Sequence, residues 1–325
     1  MKSVRRPQPG NPYQDLAQSG SREWPILGWW ECRYYRGDAA SEPIMGRLSG
    51  RPKAQALAAE VVAFYDDCLL YRESPTLPSS LYEIGLHHDP IDLKHARIEL
   101  RLGTNRTAEA LSHELLHLRL GMLGYPMGEE VWIPVELVPH ADDLIDMHRI
   151  VGNLLQHDLI FDTFLDLGFE KSRFLAPSAP GPDYGAIALD CSRSPDYREE
   201  LGFPWWCLEY FRHWLSARHG AGQQSQECAD SALHRGSRIH PQMMEATVDM
   251  RRIVESGALK DAAGYSHWTN RILGLMRLPQ YTRWVDIRPG DDSSGGKPWA
   301  TVRTDKRGPF LTPTSTLRHT IGTPC

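Results

Sequence analysis

The order of apolar and polar side chains predicts three long helices in the first half of the chain. Apolar residues recur at helical spacing from Pro52 to about Arg72, from about Arg106 to Met122, and from about Asp142 to Leu167. Strict alternation over residues 81–86 and 96–102 predicts two half-exposed strands before the second of these helices. The pattern therefore predicts an α+β domain in which a small sheet packs on the second helix.

Segments rich in proline, glycine and serine divide the rest of the chain. Residues 125–140 contain three prolines and predict a loop, and the run at 177–182 predicts a linker or wide turn. Apolar spacing predicts three further helices, over residues 203–218, 242–255 and 266–277. Residues 1–22 and 286–325 lack such periodicity and predict tails that are largely disordered.

Five residues inside the second helix carry the clearest chemical signal: His113-Glu114-Leu115-Leu116-His117. Positions four apart lie on one face of a helix, so His113 and His117 can direct both imidazoles at one point. Glu114 follows the first histidine and can reach a water molecule bound at that point. Two nitrogen ligands and a neighbouring carboxylate are the parts of a zinc hydrolase, in which Zn²⁺ activates a water and the carboxylate is the base.

This HExxH motif resembles that of the zincin metallopeptidases, which carry it on their active-site helix. The motif itself covers only five residues, but the preceding order of helix and strands is also similar to that of zincin domains. The resemblance implies that His113 and His117 bind Zn²⁺ and that Glu114 is the general base. It also implies that a third protein ligand comes from further along the chain. The alternative without a metal site is an amphipathic core helix with two hydrogen-bonded histidines.

The sequence departs from two large zincin subclasses. The metzincin extension would place glycine at 120 and histidine at 123, where this chain has Leu120 and Leu123. The thermolysin-like subclass takes a glutamate from an Asn-Glu pair, but here Asn153 is followed by Leu154. The resemblance is therefore to the superfamily, and the family within it stays open.

A catalytic zinc site has three protein ligands, and His157 is the first candidate for the third. It lies seven residues after Ile150 and seven before Phe164, which places it on the apolar side of the third helix. A histidine among apolar side chains needs a partner, which a metal or a backbone carbonyl can supply. Asp158 is the next candidate, and Asn153, one turn before His157, could orient a ligand or a substrate group. The weaker alternatives are Glu136, His140, Asp142, Asp143 and His148.

Two further roles have candidates but no assignment. Asp146 and Asp162 could accept hydrogen bonds from ligand imidazoles, with a solvated surface charge as the alternative for each. Peptide hydrolysis also needs a donor that stabilises an oxyanion. The sequence selects none of the five donors in the C-terminal half: His213, His240, Tyr265, His267 and Tyr281.

Composition removes several classes of function. The net charge of −5 argues against a nucleic-acid-binding face. The sequence contains no run of eighteen apolar residues, so it predicts no membrane-spanning helix. The N-terminus has no apolar segment typical of a secretory signal. Six scattered cysteines without a CxxC pair favour free thiols, and with these features they predict a cytoplasmic protein.

The sequence therefore predicts a zincin-like domain over residues 23–175, followed by a mostly helical portion over residues 176–285. We expect a zinc metallopeptidase that hydrolyses a protein or peptide substrate, with His113, His117 and His157 as ligands and Glu114 as base. Two alternatives stay open. One is a non-catalytic interaction module that works through its aromatic C-terminal half, and the other is a metal-dependent hydrolase of a non-peptide amide.

Overall fold

A computed structural model of the chain describes residues 33–36, 38–66, 69–74, 81–86, 94–102, 106–175, 183–193, 198–286 and 301–304. The predicted tail at 1–22, most of the predicted tail at 286–325, and the predicted linker at 177–182 lie outside the described residues. The boundary near residue 175 stays a prediction.

The described residues form both helices and strands, which confirms the α+β class. The helices are α1 (Asp38–Arg47), α2 (Pro52–Tyr65), α3 (Thr107–Met122), α4 (Ala141–Asp166), α5 (Tyr184–Cys191), α6 (Arg198–Ser216), α7 (Gln223–Ile239), α8 (Met243–Glu255) and α9 (Ala262–Leu275). The strands are β1 (Arg33–Arg36), β2 (Leu69–Ser74), β3 (Leu81–Leu86), β4 (Lys94–Arg101), β5 (Met127–Ile133), β6 (Tyr281–Val285) and β7 (Thr301–Thr304). None of the helices described is both long enough and apolar enough to cross a membrane.

The strands form two small sheets. The first has the order β1-β2-β4-β3, with β2 and β4 parallel and the two outer pairs antiparallel. The second has the order β6-β5-β7, in which β5 pairs antiparallel with β6 and parallel with β7. The strands predicted at 81–86 and 96–102 are thus confirmed as the neighbours β3 and β4, and both pack against α3.

Two hydrophobic clusters divide the interior. The N-terminal cluster joins α1, α2, the first sheet, α3 and the second half of α4, which contributes Ile160 and Phe164. The C-terminal cluster joins β5, the first half of α4 and the later helices, and it buries Trp205 and Trp206. Helix α4 therefore belongs to both clusters. His157 lies near the point where its buried residues change from one cluster to the other.

Some predicted elements are wrong at their ends. Helix α2 ends at Tyr65, and Leu69 and Leu70, which were expected on its apolar face, instead begin β2. Asp66 has a positive φ of 44°, which ends the helix, and the side chains from Leu69 to Arg72 alternate between buried and half-buried. The loop predicted over residues 125–140 contains β5 and a 3₁₀ turn. Its prolines lie outside β5 itself, so they do not interrupt that strand's hydrogen bonds.

Candidate metal centre

Helix α3 is held in the interior along most of its length. Leu111, Leu115 and Leu118 pack in the N-terminal cluster, as their helical spacing predicts. The helix ends at Met122, and Gly124 follows with a φ of 81°, a left-handed conformation that glycine adopts without strain. All residues from 111 to 118 are buried, so the middle of α3 is enclosed on every side, and His113, Glu114 and His117 lie inside the protein.

Helix α4 runs from Ala141 to Asp166, close to the predicted Asp142–Leu167. Gly168 follows its end with a φ of 92°, a left-handed conformation that terminates a helix. Leu155 and Phe164 fix the buried side of the helix, and His157 lies on that side with 1% of its surface exposed. The prediction that His157 faces the interior is confirmed.

The three predicted ligands meet at one point. The Nε2 atom of His113 lies 3.1 Å from Nε2 of His157 and 3.2 Å from Nε2 of His117. The candidate ligand atoms of the three residues all lie within 4.8 Å of one another, and all three side chains are buried. A search of the described histidine, cysteine, aspartate and glutamate side chains for groups of three or more that could hold a metal ion gives these three histidines.

Hydrogen bonding alone does not account for this convergence. An imidazole nitrogen has one hydrogen-bonding direction in the plane of its ring, so Nε2 of His113 cannot bond to both neighbours at once. Two nitrogens at 2.0–2.1 Å from a tetrahedral zinc ion are separated by about 3.3 Å, which is close to both short distances. The residues therefore fit a metal ion held by three histidine nitrogens.

Gln156 orients one of the three imidazoles. Its side-chain oxygen lies 3.0 Å from Nδ1 of His117, and an amide oxygen can only accept, so His117 donates. A proton on Nδ1 leaves Nε2 with its lone pair directed at the other histidines. Partners of this kind fix the tautomer and the ring orientation in metal sites. No sequence signal marks Gln156 for this role, because a glutamine next to a histidine in a helix is not a distinctive pattern.

Phe174 covers another part of the centre. Its ring centroid lies 5.0 Å from that of His113 and 5.6 Å from that of His157. Within the described part of the chain, no residue makes a well-formed hydrogen bond to Nδ1 of His113. Nothing in the sequence indicated Phe174, which lies beyond the end of α4 in a short irregular segment.

Burial keeps all three imidazoles neutral. Loss of solvent lowers the pKa of His113 to about 4, against an opposing interaction with the backbone of Phe174. The pKa values of His117 and His157 are also held well below the usual range, first by burial and then by the neighbouring histidines. Neutral imidazole is the form that binds metals, so the centre has ligand-competent nitrogens at neutral pH.

Glu114 is the one acidic residue of the HExxH motif, and it is buried. Its pKa is raised to about 8 by loss of solvent. No described residue forms a hydrogen bond or ion pair with its carboxyl group. A buried carboxyl without a protein partner is costly for stability, and such groups are common where a protein carries out acid–base chemistry.

Asp158, the other leading candidate for the third ligand, is engaged elsewhere. Its Oδ1 atom accepts hydrogen bonds from Nε of Arg218 at 3.1 Å and from Nε2 of His219 at 3.0 Å. Asp158 is absent from the group that meets at the centre, whereas His157 is part of it. The geometry therefore favours His157, the residue directly before it.

The weaker ligand candidates do not join the centre. His148 is buried with Nδ1 2.7 Å from the carbonyl of Leu144 and Nε2 against the carbonyl of Pro279. Asp142 and Asp143 are exposed, and His140 is half-buried. The side chain of Glu136 lies outside the described residues.

The candidates for supporting roles lie in other contacts. Asp146 pairs with Arg149 and Asp162 pairs with Lys260, both at the surface, so neither orients a ligand imidazole. This corrects the suggestion that they are hydrogen-bond acceptors of the centre. Among the oxyanion candidates, Tyr281 packs on His148, His213 pairs with Glu209, and His240 lies against Ser192. The structure selects none of the five.

A comparison with protein-family models, with curated proteins and with solved structures finds no match for this chain. The interpretation of the centre therefore depends on the residues themselves and on their geometry.

Proposed function

We propose that this protein is a zinc-dependent metallopeptidase with a zincin-like catalytic domain. The observation that carries the proposal is the meeting of the Nε2 atoms of His113, His117 and His157, with Glu114 on the same helix between the first two. Three neutral imidazoles suit several transition metals, among them zinc, whose catalytic sites combine three protein ligands with an activated water. The HExxH spacing favours the same metal.

In the proposed reaction His113, His117 and His157 would hold Zn²⁺, which when bound would act as a Lewis acid towards a carbonyl and lower the pKa of water. Glu114 accepts a proton from the water that attacks the carbonyl carbon. It then delivers this proton to the amine as the carbon–nitrogen bond breaks. Gln156 keeps His117 in the tautomer that presents Nε2 to the metal.

The raised pKa of Glu114 is consistent with this role. Burial alone holds the pKa near 8, so the side chain is largely protonated at neutral pH when no cation is near. A divalent cation held by the adjacent histidines favours the carboxylate, which is the form that a base requires.

Two features bear on the alternatives and on location. The aromatic residues of the C-terminal half are mostly packed inside, with Trp205 and Trp206 both buried, which disfavours an interaction surface built from them. Cys207 and Cys228 are free thiols, which supports the proposed cytoplasmic location. A non-peptide amide would use the same residues, so substrate tests must include one.

The decisive experiment combines metal analysis with one substitution. Protein purified without chelators should contain about one equivalent of zinc and cleave members of a peptide library. Glu114→Gln should keep the zinc and abolish cleavage, while Glu109→Gln, in the first turn of the same helix, should leave both unchanged.

Three results would count against the proposal. Zinc below about a tenth of an equivalent in the purified protein would refute the metal centre. Cleavage that survives Glu114→Gln would refute the assigned base. Turnover of small acylated amines without cleavage of any peptide would select the amide hydrolase instead.

A further inference from the structure

A second polar cluster lies next to the metal centre and connects it to the C-terminal half. Asp158, directly after His157, accepts hydrogen bonds from Arg218 and His219, about sixty residues further along the chain. Asp158 and His219 are buried, whereas the side chain of Arg218 is 42% exposed. Two side chains of one short turn therefore hold α4 at Asp158, the residue that follows the candidate ligand His157.

That turn, Ala217–Ala221, is a single π-helical turn at the end of α6. Gly220 within it has a φ of 107°, and a Cβ atom there would lie 2.9 Å from the carbonyl oxygen of Lys171. Only glycine permits this approach of two backbones. The 217–221 turn is thus packed directly on the short segment that carries Phe174.

Aromatic contacts continue from the turn to the ligands. The ring of His219 lies 4.8 Å from that of Phe161 and 5.6 Å from that of Phe174, measured between centroids. The same Phe174 ring contacts His113 and His157. Phe174 is therefore in contact with two candidate ligands and with the turn.

We propose that the 217–221 turn is a positioning element of the metal centre, which it supports without supplying a ligand. It acts in two places: Asp158 is held through Arg218 and His219, and Phe174 is held by packing against His219 and by the close approach of Gly220 to Lys171, three residues before it. Both contacts restrict the imidazole of His157, and Phe174 also restricts that of His113. Fixed rings lose less freedom when a metal binds, so the turn raises metal affinity.

This inference rests on the proposed metal centre. It adds that the later helices are needed for that centre, although all three ligands and the base precede residue 160.

The test measures zinc affinity of the full chain by competition with a chromophoric chelator. Gly220→Ala places a methyl group against the backbone of Lys171 and should weaken zinc binding about tenfold to a hundredfold, the usual effect of losing support around a ligand. Gly257→Ala is the matched control, since Gly257 shares the left-handed backbone conformation of Gly220 but a Cβ atom there would meet nothing closer than 4.0 Å. It should bind zinc as the wild type does.

A second pair of variants guards against simple unfolding of the first. His219→Gln removes the ring that packs on Phe174, and it should weaken zinc binding in a protein whose circular dichroism is unchanged. Asp162→Asn removes an exposed carboxylate on the same helix α4 and should have no effect. The visible spectrum of the Co²⁺-loaded protein should change in His219→Gln and stay constant in Asp162→Asn, because it reports ligand geometry.

The outcomes separate the two proposals. If the wild type binds zinc and both Gly220→Ala and His219→Gln bind it equally tightly with unchanged Co²⁺ spectra, the turn has no positioning role. If the wild type binds no zinc, the proposed function fails first and the inference fails with it.

Discussion

The Nδ1 atom of His117 lies 3.0 Å from the side-chain oxygen of Gln156, which directly precedes His157. One helix, α4, thus supplies a candidate ligand and also the acceptor that orients a ligand on α3. The relative rotation and position of the two helices therefore determine both contacts together.

Replacing Gln156 should weaken metal binding without removing a ligand. Gln156→Leu removes the acceptor for His117, and we expect zinc affinity to fall about tenfold to a hundredfold. Gln156→Glu keeps an acceptor in place and should retain the affinity. Isothermal titration with Zn²⁺ measures both. Equal affinities for Gln156→Leu and the wild type would show that the hydrogen bond does not matter.

Replacing His157 should remove the third ligand. His157→Ala leaves two nitrogens, and we expect the purified protein to lose most of its zinc. His148→Ala is a suitable comparison because His148 is a buried histidine of the same helix that contacts two backbone carbonyls. It should lower stability but keep the zinc. Full zinc content in His157→Ala would move the third-ligand role to another residue.

The metal-free protein should lose stability as the pH falls below the pKa of a free histidine. His113 titrates at about 4 in the folded chain and at 6.5 when unfolded, so between these values the unfolded state binds more protons. For His113 alone, the loss across that window is about 3 kcal/mol, and His117 and His157 act in the same direction. Urea unfolding of the Glu114→Gln protein with chelator present, at several pH values, measures this slope without the opposing titration of Glu114. A flat profile would contradict the burial of neutral imidazoles.

The titration of Glu114 should have the opposite effect: it should lower the stability of the metal-free protein as the pH rises. Its pKa is about 8 in the folded chain and 4.5 in the unfolded chain, so the folded state holds the extra proton. Stability contributed by the protonated form is present below 4.5 and is lost as the pH rises towards 8. Glu114→Gln removes this loss, so the variant should gain stability relative to the wild type between those values. Denaturant midpoints of the two metal-free proteins check the difference.

A hydrogen bond between α2 and α3 supports the helix that carries the motif. The hydroxyl of Tyr65 donates to the carbonyl of Leu118 at 2.8 Å in a buried position. Tyr65→Phe removes this donor, and we expect the free energy of unfolding to fall by about 1 kcal/mol. Zinc stoichiometry should not change, which separates this variant from those of the metal centre. An unchanged unfolding free energy would show that the bond makes no net contribution.

The sequence predicted the parts of the centre that depend on local periodicity. Helical spacing placed His113 and His117 on one face and turned His157 inwards. It failed where strand and helix patterns overlap: Leu69 and Leu70 suit both, and long-range pairing with β4 decides for the strand.

Contacts between distant segments could not be predicted from the sequence. His219 and Asp158 are sixty-one residues apart, and nothing in either neighbourhood indicates the other. Gln156 and Phe174 likewise gain their roles only when α3 and α4 are packed together. A residue whose partner is set by tertiary structure has no periodic pattern of its own.

The placement of α4 in both hydrophobic clusters has a consequence for the order of folding. The three candidate ligands lie within forty-four residues on two successive helices, and the contacts of Asp158 with Arg218 and His219 close loops of sixty and sixty-one residues. Loop entropy depends so weakly on length that the second closure costs only about 0.3 kcal/mol more than the first. We therefore expect the two sets of contacts to form together as α4 packs into both clusters, rather than the histidines first.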